Sequence, residues 1–383
     1  MRTIYLDNAA TTKLHPLVRK AMSECEEDGF GNSSSLHSAG RKAKEKLDLA
    51  RETISKKVFA KNHKLIFTSG GTESNNFAIK GLALGSREKK HIVTTKIEHD
   101  CVLNTLGFLE KYGYKVTYLD VDKEGLVNLE ALENAITKDT LLVSVIHGNN
   151  EIGTIQNLKE IGRIVHEKGS VFHTDACQSF TKQPIDMEKD NIDLLTINAH
   201  KIYGPKGVGA LLVKEGLGLE PLLHGGGHEY GLRSGTVNVP GIVGFSKATE
   251  IIGEREIEHM ASLRNQLVTG LKDIDDCWLN GPEVDSGKRL CNNANLTFMY
   301  AEGEAIVLYL DALGICVSTG SACSSNTLKP SHVLKAIGLK QEQSHGTIRF
   351  SIGIDNTTEE IKYTIDCVKG TIEKLRQMCP YKY

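Results

Sequence analysis

TLLVSVIHGNNEIGTIQNLKEIGRIVHEKGSVFHTDA, residues 140–176, decides the fold class. An apolar run (140–148) precedes an amphipathic stretch (157–168), and a second apolar run, VFHTDA (171–176), follows. The outer runs are rich in Val, Ile, Leu and Thr and read as strands, the middle as a helix. The alternation extends outward. LIFTS (65–69), HIVTT (91–95), KVTYLDV (115–121), DLLTINA (193–199) and VGALLV (208–213) are further strand candidates. Residues 73–84, 99–112 and 129–137 are further amphipathic stretches, and 37–58 carries a long charged pattern expected as a surface helix. Strands alternating with helices predict an α/β fold whose largely parallel sheet is buried on both faces.

The last third changes character. One long helical pattern is expected around 240–275. NLTFMY (295–300), ICVST (315–319) and IRFSIG (348–353) then alternate with helical stretches at 303–313, 331–337 and 358–377. They read as a smaller α+β domain. The length of 383 residues fits about two domains at roughly 150 residues each. The expected division is 16–250 for the large domain, with 1–15 and 251–383 forming the small one.

Composition narrows the function classes. Lys and Arg number 46 against 48 Asp and Glu, a formal charge of −2, which gives no global electrostatic case for gripping nucleic acid. No run of about 18 apolar residues occurs, so no membrane span is expected. MRTIYLDNAATT at the start lacks the apolar core of a signal peptide and reads as the beginning of a fold. Nine cysteines are scattered with no C-x-x-C, against both a disulfide framework and a zinc ribbon. A cytoplasmic protein with mostly buried free thiols is expected.

The loops that follow the strands hold the polar residues of interest, where open α/β sheets bind ligands. SGGTESNN (69–76) ends a strand and opens a helix; its glycines and Thr72 suit a phosphate, or form an ordinary turn. In HTDACQ (173–178), Asp175 stands at a strand end, either as a helix cap or as the partner of a protonated ring nitrogen, with Gln178 within reach of the same ligand. In NAHKIYGPKGVGA (198–210), Lys201 is a salt-bridge partner or an amine suited to a Schiff base. Asp175 and Lys201 together are the pair that pyridoxal phosphate requires. His99, in IEHDCVLNT (97–105), is a capping histidine or a ring that stacks on a cofactor and moves protons. Cys323 lies in STGSACSSNTLKPSHVL (318–334), a run of small polar residues that suits an exposed loop, where a thiol is either inert or a travelling nucleophile.

Taken in order, these motifs resemble the cysteine desulfurases, pyridoxal-phosphate enzymes that remove sulfur from L-cysteine. The resemblance also takes in YLDNAATT (5–12), GNSSSLHSAG (31–40), NNEIG (149–153), GGGHEYGLRSGT (225–236), EGEAI (302–306) and HGTIRFSIG (345–353), nearly the whole chain. It implies the fold-type-I aminotransferase architecture, an obligate homodimer, and conversion of L-cysteine to L-alanine with the sulfur carried on Cys323 as a persulfide. The small domain would carry the Cys323 loop. The form of that loop resembles the branch supplying iron–sulfur cluster assembly and tRNA thiolation, so the implied partner is a sulfur-acceptor protein. Residue by residue, the resemblance places the cofactor's Schiff base on Lys201 and its pyridine nitrogen on Asp175. Gln178 and Asn150 would meet the ring hydroxyl, and His99 the ring face. Gly71, Thr72 and His200 would hold the phosphate, with Thr236 contributed across the dimer. Arg349, with Asn32, would bind the substrate carboxylate. Two departures stand out: Asn198 replaces the usual phosphate-bonding serine, and Ser33 replaces a common proline. The alternatives are a selenocysteine lyase or aminotransferase of the same fold, and a non-catalytic assembly scaffold.

Overall fold

All seven strands expected in the first two-thirds form. The computed structural model describes residues 3–86, 88–319 and 330–378. After a two-residue strand β1 (Ile4–Tyr5) come β2 (His63–Thr68), β3 (His91–Thr95), β4 (Lys115–Leu119), β5 (Thr140–Ser144), β6 (Val171–Asp175), β7 (Leu194–Asn198) and β8 (Gly209–Lys214). Strands β2 to β8 make one sheet in the order β2-β8-β7-β6-β5-β3-β4. Strand β8 alone runs against its neighbours, and β7, β6, β5, β3 and β4 are parallel. β3, β5 and β7 are buried at every residue, as a sheet covered on both faces demands.

Helix Leu158–Glu167 shows how the covering layer is written. Asn157 caps it by accepting from the Glu160 N–H, and Leu158, Ile161, Ile164 and Val165 bury one stripe. Fully burying a side chain such as Phe172 contributes about 2–3 kcal/mol. Because β2 and β7 both run opposite to β8, the carboxyl ends of β2, β3, β5, β6 and β7 meet along one edge. That edge receives the loops singled out above.

Four further strands follow: β9 (Cys277–Leu279), β10 (Asn293–Phe298), then β11 (Ile315–Cys316) and β12 (Ser318–Thr319), before β13 (Thr347–Ser351). An antiparallel sheet runs β12-β13-β10-β9. β11 pairs instead with β1, and Asp7 bridges to Ser351, so the start of the chain lies against its last third. None of the described helices is long and apolar enough to cross a membrane.

Three expectations are corrected. The single helix at 240–275 is two, Val239–Ala248 and Glu254–Leu271. Gly253 is extended between them, and its N–H donates to Glu256, which starts the second helix afresh. The run ICVST is split between two sheets. The helical stretch at 73–84 contains a π turn, Phe77–Gly81, between Gly71–Asn76 and Leu82–Gly85. Helices Pro16–Asp28 and Gln341–His345 form where none was expected.

Candidate active site at the carboxyl edge of the sheet

Asp175 is the last residue of β6 and is buried. A carboxylate here needs donors. The Cys177 N–H gives one to Oδ1 at 2.8 Å and Asn75 Nδ2 gives another to Oδ2 at 2.6 Å. The reading of Asp175 as a cap is met in part, since it caps its own turn through Oδ1. Lys201 follows β7 by three residues and, like Asp175, lies close enough to act electrostatically on His99 and on the thiols of Cys101 and Cys177.

His99 precedes helix Asp100–Glu110 and caps it, Nδ1 accepting from the Cys101 N–H at 3.1 Å. The cap uses only Nδ1. Burial, then the nearby Lys201 cation, push the imidazole below the usual histidine range, so it is neutral near pH 7. Cys101 Sγ stands 3.1 Å from the same Nδ1 and accepts from Asn75 Nδ2 at 3.2 Å.

The turn after β2 is built to let backbone and ligand come close. Gly70 has φ +153°, and a Cβ there would point into open space. Opposite it, a Cβ on Gly209 would fall 2.7 Å from Gly70 Cα, so glycine is required where the two segments touch. Thr72 is exposed beside this turn. Asn198 Nδ2 lies 3.5 Å from where a Gly71 Cβ would stand, and the buried Asn198 Oδ1 has no hydrogen-bond partner. His200 Nδ1 meets Thr11 Oγ1 at 3.1 Å, and burial followed by Lys201 lowers its pKa to about 4. Thr236 stands exposed and lines a cavity of about 150 Å³ with Thr68, Ser69 and Arg233. The loop bearing it is tied back by the Arg233–Glu73 pair at 2.9 Å.

Arg349 enters from the other sheet, on β13. It is 3% exposed; Nη2 donates to Asp7 Oδ1 at 2.8 Å, Nη1 to the Asn150 carbonyl at 3.1 Å, and Nε has no partner. The buried Asn150 Oδ1 is likewise unpartnered. Gln178 Nε2 donates to the Ala9 carbonyl at 2.8 Å, leaving its second hydrogen. Asn32 is the exception among the expected residues. It is exposed, its Oδ1 accepts from Ser34 N at 2.9 Å, and it makes no hydrogen bond with Arg349.

Cys323 lies outside the described residues, but both flanks of its segment stand at this site. Ser318 pairs with Arg349 across β12 and β13. Ser331 Oγ donates to Glu151 Oε2 at 2.5 Å, and His332 Nε2 meets the Glu98 carbonyl at 2.8 Å. Glu98 and Glu151 are the neighbours of His99 and Asn150, and burial raises them to about 8 and about 7. Sequence reasoning gave no role to Asp7, Asn75, Glu98, Cys101, Glu151 or the Ser331–His332 pair. Asp7 alone had a signal, as a carboxylate following an apolar dipeptide in YLDNAATT.

Comparisons with known proteins identify the family and the fold. Residues 4–364 match the family described as aminotransferase class-V. The chain is 49% identical to the cysteine desulfurase IscS of Dictyoglomus turgidum over 386 residues, covering 100% of this chain and 97% of that one. It is 48% identical to the cysteine desulfurase IscS of Methanosarcina thermophila, covering 99% and 94%. Among solved structures it is similar to a NifS-like protein (TM-score 0.89, 38% identity, covering 97% and 99%) and to SspA in complex with cysteine (TM-score 0.82, 38% identity, covering 93% and 100%).

Proposed function

The chain belongs to the class V aminotransferases and, within them, to the cysteine desulfurases, and from that premise we propose that it converts L-cysteine to L-alanine and takes the sulfur as a persulfide on Cys323. Pyridoxal phosphate fits the residues present. The open glycine turn leaves room for a phosphate, the unpartnered Asn150 Oδ1 awaits a donor such as a ring hydroxyl, and a lysine and a fixed carboxylate both lie near His99 and Cys101. When bound, the cofactor supplies an electron sink that loosens the Cα–H and Cβ–S bonds of the amino acid.

The division of labour follows from position. Asp175 would keep the cofactor's ring nitrogen protonated, its own oxygens fixed by Asn75 and Cys177. His99 would meet the ring, and Asn150 and Gln178 the ring hydroxyl. Gly71, Thr72, Asn198 and His200 would hold the phosphate, with Thr236 supplied to the second copy in a homodimer. The division into 16–250 and the remainder assigns these residues to the large domain. Arg349, from the small domain, binds the substrate carboxylate; its unpartnered Nε and half-engaged Nη atoms suit an incoming carboxylate. Asn32 joins it only if the substrate or the second copy draws in its loop. Lys201 would hold the cofactor through its Nζ, and as a free amine it would take the Cα proton of the substrate.

The thiolate of Cys323 then attacks the substrate sulfur. The S–S bond forms as Cβ–S breaks, the electron pair returns to the carbon fragment, and two protons taken up there complete alanine. The acceptor that relieves Cys323 of its sulfur is a protein of iron–sulfur assembly or tRNA thiolation, and the expected compartment is the cytoplasm. The fixed, buried Asp175 beside Lys201 is the observation on which this reading rests most.

The test is to treat the protein with L-cysteine and to measure alanine, sulfide and peptide masses. A sulfur adduct of one atom on the peptide containing Cys323 is expected. In Cys323→Ala, persulfide and turnover are both expected to vanish while the cofactor absorbance stays. Unchanged alanine formation in that variant would overturn the persulfide role.

A further inference from the structure

The polar atoms around Asp175 continue past Asn75. Asn75 Nδ2 donates at once to Asp175 Oδ2 (2.6 Å) and to Cys101 Sγ (3.2 Å), and Cys101 Sγ lies 3.1 Å from His99 Nδ1. The directions of these bonds are settled by one of them. The Cys101 backbone N–H also points at His99 Nδ1, at 3.1 Å, and a backbone N–H can only donate. Nδ1 must then be the bare nitrogen, and the thiol hydrogen is free to point at it while sulfur accepts from Asn75. One unbroken chain runs His99–Cys101–Asn75–Asp175.

We propose that Cys101 is a positioning residue for His99: its thiol reinforces Nδ1 as an acceptor beside the backbone cap, favours the neutral ring, and ties it through Asn75 to Asp175. The proposal deepens the role given to His99 above and rests on it. It explains why His99 is both a helix cap and a cleft residue. The cap fixes which nitrogen is bare, and the opposite nitrogen, with no partner among the described residues, holds the proton that meets the ligand. The charged and titratable groups facing His99 are Lys201, Asp175, Asp100, His332 and Cys101 itself. Lys201 favours the neutral ring, as does a donor on Nδ1; Asp175 and Asp100 oppose it. Burial and Asp175 push the Cys101 thiol up to about 12, so it stays protonated and able to donate throughout the working range.

The test reads the tautomer directly. The holoenzyme, labelled with nitrogen-15 in histidine, is followed by NMR across pH, with His99 identified by its absence from a His99→Gln spectrum. In the wild type, a bare Nδ1 and a protonated Nε2 are expected. In Cys101→Ala the backbone N–H still donates to Nδ1, so Nε2 should stay protonated, but the His99 midpoint should rise by about half a unit, because a second donor to the neutral ring is lost. Turnover should fall about three- to tenfold with KM within about twofold. Cys101→Ser, which can accept from Asn75 and donate to Nδ1, should restore both readouts. Alanine suits a helix and the site is half-buried, so folding is not at stake. A Cys101→Ala variant whose His99 midpoint and turnover match the wild type's, or a serine variant that behaves like alanine, would overturn the proposal. Failure of the desulfurase reading would instead show as no alanine from the wild-type protein, with the histidine spectra unaffected.

Discussion

Asp175, at the end of β6, and Arg349, in the middle of β13, are both buried charges, yet they are held in opposite ways. Both donors to Asp175 come from its own sheet edge: the turn it opens and the helix after β2. Each of its oxygens has a partner before any ligand arrives. Arg349 is held by residues 342 and 199 positions away, Asp7 and Asn150, where the beginning and end of the chain meet. Its Nε is left without a partner. A buried unmade hydrogen bond costs about 1–3 kcal/mol, which a substrate carboxylate would recover. Asp175 is satisfied before anything binds, and Arg349 is left a hydrogen bond short.

Substitutions at the two charges should therefore fail differently. Asp175→Asn keeps an acceptor for the Cys177 N–H but removes the charge, and turnover should drop about a hundredfold to a thousandfold. The bound cofactor's absorbance band should shift in the same variant as its ring nitrogen loses the proton. Near-normal alanine formation would show that Asp175 only caps its turn. Arg349→Lys keeps the charge but loses the planar fork. There KM for cysteine should rise about ten- to a hundredfold while kcat falls much less. If kcat falls and KM holds, Arg349 serves the fold rather than the substrate. Asp7→Asn, which loosens the guanidinium without removing it, should raise KM only about two- to fivefold.

The same contrast sets how much could be read without coordinates. Strands β2 to β8 and the roles offered for Asp175 and Lys201 come from local patterns: apolar runs, the residue that ends them, and the glycines after them. Asp175's partner Asn75 was missed because a polar side chain in a helix carries no local mark of which distant carboxylate it meets. The counter-ion of Arg349 was missed for a stronger reason. Asp7 reaches it only because β1 pairs with β11 and lies beside β13, and so short a pairing leaves no periodicity to count. The break at Gly253 was overlooked because both flanking helices are amphipathic and one glycine is a weak stop within such a pattern. His99 was read as either cap or cleft residue, and its two nitrogens make it a cap with a second nitrogen to spare.

The last expected effect is on stability rather than turnover and concerns a third buried titratable group, Glu98. Its Oε1 accepts from Thr95 Oγ1 at 2.6 Å and from Ile146 N at 2.9 Å, while Oε2 has no partner. Burial raises its pKa from 4.5 to about 8, with the Asp175 charge adding to the rise. The native state therefore binds a proton that the unfolded chain releases between those values. Stability contributed by this group is present below pH 4.5 and lost as pH climbs toward 8. Glu98→Gln keeps the acceptor for Thr95 and Ile146 and abolishes the titration. Urea midpoints of variant and wild type should lie closest in acid and separate as pH rises. By pH 8 the variant should be the more stable of the two. Curves that stay parallel across that range would show that Glu98 pays no such penalty. Repeating the pair in an Asp175→Asn background should narrow the gap, because one of the charges opposing ionisation of Glu98 has been removed. A gap that does not narrow would show that burial alone governs Glu98, and that the charge of Asp175 is neutralised by the groups in its cleft before it reaches its neighbour.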